Sequence, residues 1–160
     1  MNRELSDRAL LLLLAAVTAL GPIATNLYLP ALPKVREYFG ATVAEVQATF
    51  SISLVMFALG ILAWGPISDR FGRRRAILGG LAIMVCGSVA SVFAQSLPWL
   101  IAGRALQAFG VATGLVTARA IIADRYPADR MAKMLASLTM VAVLGNSLAP
   151  VLGGFIAAGF

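Results

Sequence analysis

Five runs of apolar residues, each close to the length of a membrane-crossing helix, govern what this chain can fold into. They cover approximately residues 9–29, 46–67, 76–95, 98–123 and 134–158. A helix needs roughly 20 apolar residues to cross a hydrocarbon core of about 30 Å. Lipid offers a backbone no hydrogen-bond partners, so each run must bond within itself as a helix. Barrel strands are disfavoured, because the runs are too long and lack a period-two alternation.

Composition agrees. Of 160 residues, 60% are hydrophobic and only 12% are charged. A soluble domain carries about 25% charged residues, so this chain has too little charge to cover a water-facing surface. The expected fold is all-α: a polytopic membrane bundle of five transmembrane helices, forming a single domain over residues 1–160. The chain has no His, and its single Cys86 lies inside an apolar run. An intramolecular disulfide and a metal-ligand cluster are therefore not expected, and no cofactor is implied. The start, MNRELSDR followed by ALLLLLAAVTAL, imitates a signal peptide. Its apolar run is longer than the usual signal core and more runs follow, so it reads as a retained first span.

The charges sit in the joints. Arg3 and Arg8 precede the first span; Arg70, Arg73, Arg74 and Arg75 lie between the second and third; Arg125, Arg130 and Lys133 lie between the fourth and fifth. Alternate crossings put these nine on one side, against Lys34 and Arg36 on the other. The positive-inside rule then predicts a cytoplasmic N-terminus and, after five spans, a C-terminus outside. Topology accounts for the net charge of +6, so nucleic acid is not an expected partner; the lipid bilayer is.

Topology alone needs only positive charge, and the second joint has more. GPISDRFGRRR places Gly65, Asp69, Arg70, Gly72, Arg73 and Arg74 in fixed order. Gly65, one helical turn before Asp69, predicts a close helix approach just above the acid. Gly72 suits a turn with positive φ. Asp69 can accept from an Arg or from a helix N-terminus. The fourth span reads IAGRALQAFGVATG, with Gly103, Gln107, Gly110 and Gly114 on one narrow stripe suited to close packing. It also contains Arg104. An Arg well inside a span costs about 2.5–3.5 kcal/mol on insertion scales. It therefore faces a wet cavity or an acceptor, or else snorkels to the outer interface, about two turns away at Pro98; the first reading is preferred. In the fifth span, GNSLAPVLGG sets Ala142, Gly145, Ala149 and Gly153 on a small-residue stripe. Pro150 frees the carbonyl of Asn146 and favours a kink. In the first, Pro22 and Pro30 flank Thr25, Asn26 and Tyr28, polar groups expected to face a cavity or another helix.

The order G-x-x-x-D-R-x-G-R-R between two spans resembles the loop signature of the major facilitator superfamily. R-x-x-Q-x-x-G at Arg104 resembles the fourth-helix motif of its drug/proton antiporters. Gly145, Ala149, Pro150, Gly153 and Gly154 resemble their fifth-helix motif, with Ala149 in place of the commoner Gly. The ending YLPALP, with RAIIADRYP and LAPVLGG, is similar to the bicyclomycin-resistance type of multidrug exporter. The resemblance implies a cytoplasmic latch at Gly65, Asp69, Arg70, Gly72, Arg73 and Arg74, with Asp124 as the acid paired to the loop Arg. It implies a hinge and seal at the fifth-span motif, and proton coupling through Arg104. A substrate cavity lined by Asn26, Tyr28, Arg104 and Gln107 follows. Many members carry Asp where this chain has Asn26, which cannot titrate.

The family has twelve spans in two bundles; this chain supplies five. It is expected to be the N-terminal fragment of a proton-coupled multidrug exporter of the bacterial inner membrane, unable to transport alone. Its partners would be a small apolar or cationic drug and protons, once a C-terminal half completes it. A non-transporting bundle that packs against other helical proteins is the alternative, and metabolite uptake a weaker one. An enzyme is disfavoured, since no nucleophile–base pair or phosphate loop is present.

Overall fold

A computed structural model of the chain describes residues 7–159, with side chains placed from 9 to 155. Arg3, the Arg8 side chain and the extreme C-terminus, which entered the topology argument, lie outside the described residues. The elements are α1 (Asp7–Asn26), a 3-10 turn at Leu29–Ala31, α2 (Leu32–Phe39), α3 (Val43–Phe71), α4 (Arg73–Val92), α5 (Leu97–Arg125) and α6 (Ala128–Gly159). Among the described residues, five helical segments are long and apolar enough to cross a membrane.

Helices α3, α5 and α6 outrun their apolar runs at both ends, whereas α4 begins ahead of its run and ends before it. Hydropathy marks where hydrocarbon begins, whereas a helix ends where its caps are satisfied. At the start of α3, the Thr42 hydroxyl accepts from the Glu45 amide at 3.3 Å, and the Glu45 carboxylate accepts from the Thr42 amide at 2.8 Å. This capping box starts the helix ahead of the expected 46. At its other end α3 runs to Phe71 and stops at Gly72, which has φ +90°. Helix α6 likewise begins in the polar turn at Ala128.

The joint between the first two spans needs a correction. The sequence treats residues 30–45 as a connection; the structure folds most of it into the 3-10 turn and α2. Its Lys34, Arg36 and Glu37 hide it from a hydropathy reading, yet Pro33 in its first turn and Gly40 beyond its end, with φ +60°, are ordinary helix limits. The first span also breaks earlier than expected. Helix α1 tolerates Pro22 and ends at Asn26.

Helix α5 is the hub. Half of its most apolar stretch is buried, against 11% for α6. It shares one apolar cluster with α1 and α6, around Leu14, Ala118, Ile122 and Leu138. It shares another with α3 and α4, around Trp64, Ala76 and Ala112. The α4–α5 contact is made by glycines of both helices. A Cβ added to Gly87 would lie 2.4 Å from the Gln107 amide nitrogen, and one on Gly110 would lie 2.4 Å from that of Met84. Gly80 and Gly103 are as confined from their own sides. Without side chains between them the two backbones approach closely, which gives packing energy where the hydrophobic effect gives none. Gly114 turns to a third helix, meeting the Val17 carbonyl of α1. The outward faces carry Leu62, Val92, Leu144 and Phe155, all well exposed, as lipid-facing positions should be.

Candidate functional site

Three sets of polar side chains stand out against this apolar frame. The first surrounds Arg104. Its position on α5 turns it inward, and it is only 7% exposed. Burial, not snorkelling, is what the structure shows. The guanidinium donates from Nη1 to the Gln107 side-chain oxygen at 2.7 Å and to the Ala24 carbonyl of α1 at 3.2 Å. Its Cζ lies 4.3 Å from the centre of the Tyr28 ring, within cation–π range. Gln107 donates onward to the Ser88 hydroxyl of α4 at 2.8 Å. The Tyr28 and Thr49 hydroxyls are 3.1 Å apart, which ties in α3. One buried charge thus joins four helices. Its Nε has no hydrogen-bond partner, and no carboxylate pairs with it among the described residues.

The second set sits at the α3–α4 joint. The Arg73 Nη1 donates to Asp69 at 2.5 Å and to the Ser68 hydroxyl at 2.9 Å. Its Nε donates to Asp124, at the end of α5, at 2.9 Å. Gly72 makes this possible, since its positive φ turns the chain so that α4 starts beside the ends of α3 and α5. Arg70 lies over the Phe71 ring at 5.4 Å, and Arg74 is exposed. Gly65 differs from its expectation: a Cβ there would meet nothing within 4 Å. The close approaches to α3 are made at Gly60, against Phe109 and Ala112, because that is the face α3 turns to α5.

The third set is on α1 and α6. Asn26 donates its amide to the Pro22 carbonyl at 2.9 Å and also to the Asn146 side-chain oxygen. Both asparagines line a groove of about 270 Å³ between α1, α3 and α6, with Phe50, Leu54 and Phe57. The four residues expected to share one cavity are therefore divided. Tyr28, Arg104 and Gln107 engage one another, while Asn26 lines this groove without them. The small-residue stripe of α6 faces α1: Gly145 packs on Ile23 and Ala19, Ala149 is fully buried, and Gly153 lies against the Leu27 backbone. Gly154 has open space beside it, and α6 continues as helix through Pro150.

Sequence reasoning did not single out Ser68, Thr49, Ser88 or Asn146. The first three are small hydroxyl residues in apolar runs, with no local pattern to mark them. Asn146 lay inside a motif already noted, and its helical spacing from Gly145 and Gly153 was the available signal.

The family model described as Major Facilitator Superfamily matches residues 14–160. The chain belongs to that superfamily. The family and the relatives it brings are transporters, not enzymes. An uncharacterized transporter of Rickettsia bellii is 37% identical over 90% of this chain and 36% of its own length. Multidrug resistance protein D of Escherichia coli is 33% identical over 92% of this chain and 37% of its own length. A bicyclomycin resistance protein homolog of Haemophilus influenzae is 29% identical over 98% of this chain and 39% of its own length. The chain thus spans a little over a third of the relatives it matches, at their N-terminal portion. Its membrane-length helices and bacterial relatives make it an inner-membrane protein.

Proposed function

We propose that this chain supplies the first five spans of a proton-coupled multidrug exporter that works by alternating access, and that it does not transport alone. The observation that carries the reading is Arg104, a buried charge held by α1 and α5 with no acid paired to it among the described residues. A membrane bundle keeps such a charge at a cost of a few kcal/mol. Hydrogen bonds to neutral oxygens and the Tyr28 ring offset part of that cost without neutralising it. A fixed positive charge weakens the proton affinity of any carboxylate brought near it. In a two-bundle transporter, rocking of the second bundle brings such a group near in one state and removes it in the other. That is proton coupling, and Arg104 is the residue on this side of it. The relatives' names, multidrug resistance protein D and bicyclomycin resistance homolog, support drug efflux.

In this reading the Asp69–Arg73–Asp124 cluster braces the cytoplasmic ends of α3, α4 and α5, as one half of a latch with Gly65, Arg70 and Arg74. The Gly145–Gly154 segment serves as hinge and seal. The N-terminus is cytoplasmic and the C-terminus outside, following the cationic joints.

The test is drug accumulation in energised membrane vesicles. The chain alone gives no export. Joined to the C-terminal half of multidrug resistance protein D, it exports drugs when a proton gradient is imposed. Arg104→Lys abolishes that coupling, because a point ammonium cannot hold the Gln107, Ala24 and Tyr28 contacts together. Export by the chain alone, or full proton-driven export by Arg104→Lys, overturns the proposal.

A further inference from the structure

We infer that Thr49 is a positioning residue for Arg104: its hydroxyl holds the Tyr28 ring against the guanidinium, and so sets the direction in which the buried charge points. The inference rests on the export reading above for what Arg104 does, and on the geometry alone for how Arg104 is held.

A hydroxyl carries one hydrogen and two lone pairs. Thr49 donates its hydrogen to the Val46 carbonyl of its own helix at 2.6 Å. Toward Tyr28, 3.1 Å away, it can therefore only accept, and the Tyr28 hydroxyl is the donor. The other limb of the network runs the same way. Ser88 spends its hydrogen on the Met84 carbonyl at 2.9 Å. It accepts from the Gln107 nitrogen, and the Gln107 oxygen is left to face Arg104. Every hydrogen bond in the network thus points away from the guanidinium. Arg104 meets electron-rich partners: two oxygens and the face of a ring.

These partners are not equally secure. Gln107 lies three residues from Arg104 on α5, on the same helix face. Ala24 offers a backbone carbonyl of α1. The helices themselves fix both. Tyr28 lies beyond the end of α1, in the break before the 3-10 turn, and is half-buried. Its polar tip would otherwise turn to interfacial water, as tyrosines near a membrane surface do. Thr49 is fully buried, and it is the partner of the Tyr28 hydroxyl among the described residues. Its lone pair draws that tip inward onto α3 and lays the ring on Arg104. A buried Thr that bonds a carbonyl of its own helix is ordinary by itself. A second bond, accepted from the residue that covers a buried charge, is not.

The resonance of the Arg104 Nε–H tests this in the chain itself, isotope-labelled at its arginine nitrogens and held in lipid nanodiscs. That nitrogen is buried and has no hydrogen-bond partner, so its proton reports the ring beside the guanidinium rather than an acceptor. Ring currents should put it upfield of every other arginine, and Arg104→Lys assigns it by its loss. Thr49→Val keeps the shape and removes the acceptor; it should lose at least half of the upfield shift. Thr49→Ser keeps the hydroxyl and should keep the shift. Tyr28→Phe deletes the same bond from the half-buried side, so it decides the matter even if Thr49→Val does not fold. It should match Thr49→Val, and the double variant should go no further. A parent resonance in the ordinary arginine range, or an unchanged shift in Thr49→Val or in Tyr28→Phe, overturns the inference. So does a loss in Thr49→Ser equal to that in Thr49→Val, or an additive loss in the double variant. The vesicle assay keeps this separate from the transport reading. There Thr49→Val, joined to the same C-terminal half, should export about tenfold less, the worth of one well-made hydrogen bond. Unimpaired export beside a lost ring shift defeats the coupling role of Arg104 alone. A kept ring shift defeats the positioning role of Thr49 alone, whatever the vesicles export.

Discussion

Helices α4 and α5 meet through four glycines, whereas α1 and α6 meet mostly through side chains. At the first seam an added Cβ would strike backbone at 2.4 Å from Gly87 or from Gly110. At the second, an added Cβ on Gly145 would find side-chain atoms at 3.6–3.9 Å, ordinary contact distance. Only Gly153, against Leu27, brings α6 up to backbone. The difference teaches how one small bundle serves two needs. Backbone-to-backbone packing admits one arrangement, since any slide drives atoms into each other. Side-chain contacts beside a groove can be remade at small cost. The Arg104 network crosses from α5 to α4 through Gln107 and Ser88, on the fixed seam. The asparagine pair crosses the yielding one.

The sharpest way to break this contrast is Gly87→Leu. Nothing at that seam can retreat to make room, so the variant should fail to give a monodisperse protein in detergent. Gly110→Ala is the milder form. It should lower stability by about 1–3 kcal/mol, the usual cost of overpacking, measured by unfolding in mixed micelles. Asp124→Asn acts at the water-facing end, where the Asp69 and Asp124 side chains are more than half exposed. Its effect should be about 0.5 kcal/mol or less, shrinking further with salt. Gly145→Ala should be the weakest of the four, within about 0.5 kcal/mol of the parent. Were Gly110→Ala and Gly145→Ala to cost the same, the two seams would not differ in kind.

Much of this architecture is legible in the residues, and the physics says why. Apolar length is a local property, so the five spans follow from composition along the chain. The Asp69–Arg73 pair is local too, one helical turn apart across Gly72. What the sequence conceals is partnership. The stripe of Gly103, Gly110 and Gly114 announces close packing but names no neighbour. Gly80 and Gly87 answer it from α4, while Gly114 turns instead to α1. Gly65 carries the same composition and meets nothing, because α3 turns Gly60, not Gly65, toward α5. That Asn26 lines a groove apart from Tyr28, Arg104 and Gln107 is concealed for a related reason. Depth in the membrane can be read from position in a run, but the side of the bundle a residue faces depends on how the helices are arranged. The helix at 32–39 was hidden because charge there breaks the apolar pattern without breaking the helix.

The contrast between the seams is tested most directly by distances between paired spin labels in lipid nanodiscs. One pair, on Ala82 and Leu106, spans α4 and α5; the other, on Leu13 and Val143, spans α1 and α6. All four positions are exposed, and Cys86 is replaced by Ser so that it takes no label. The α4–α5 pair should give one narrow distance. The α1–α6 pair should give a broader distribution. A broad α4–α5 distance beside a narrow α1–α6 distance would contradict the account.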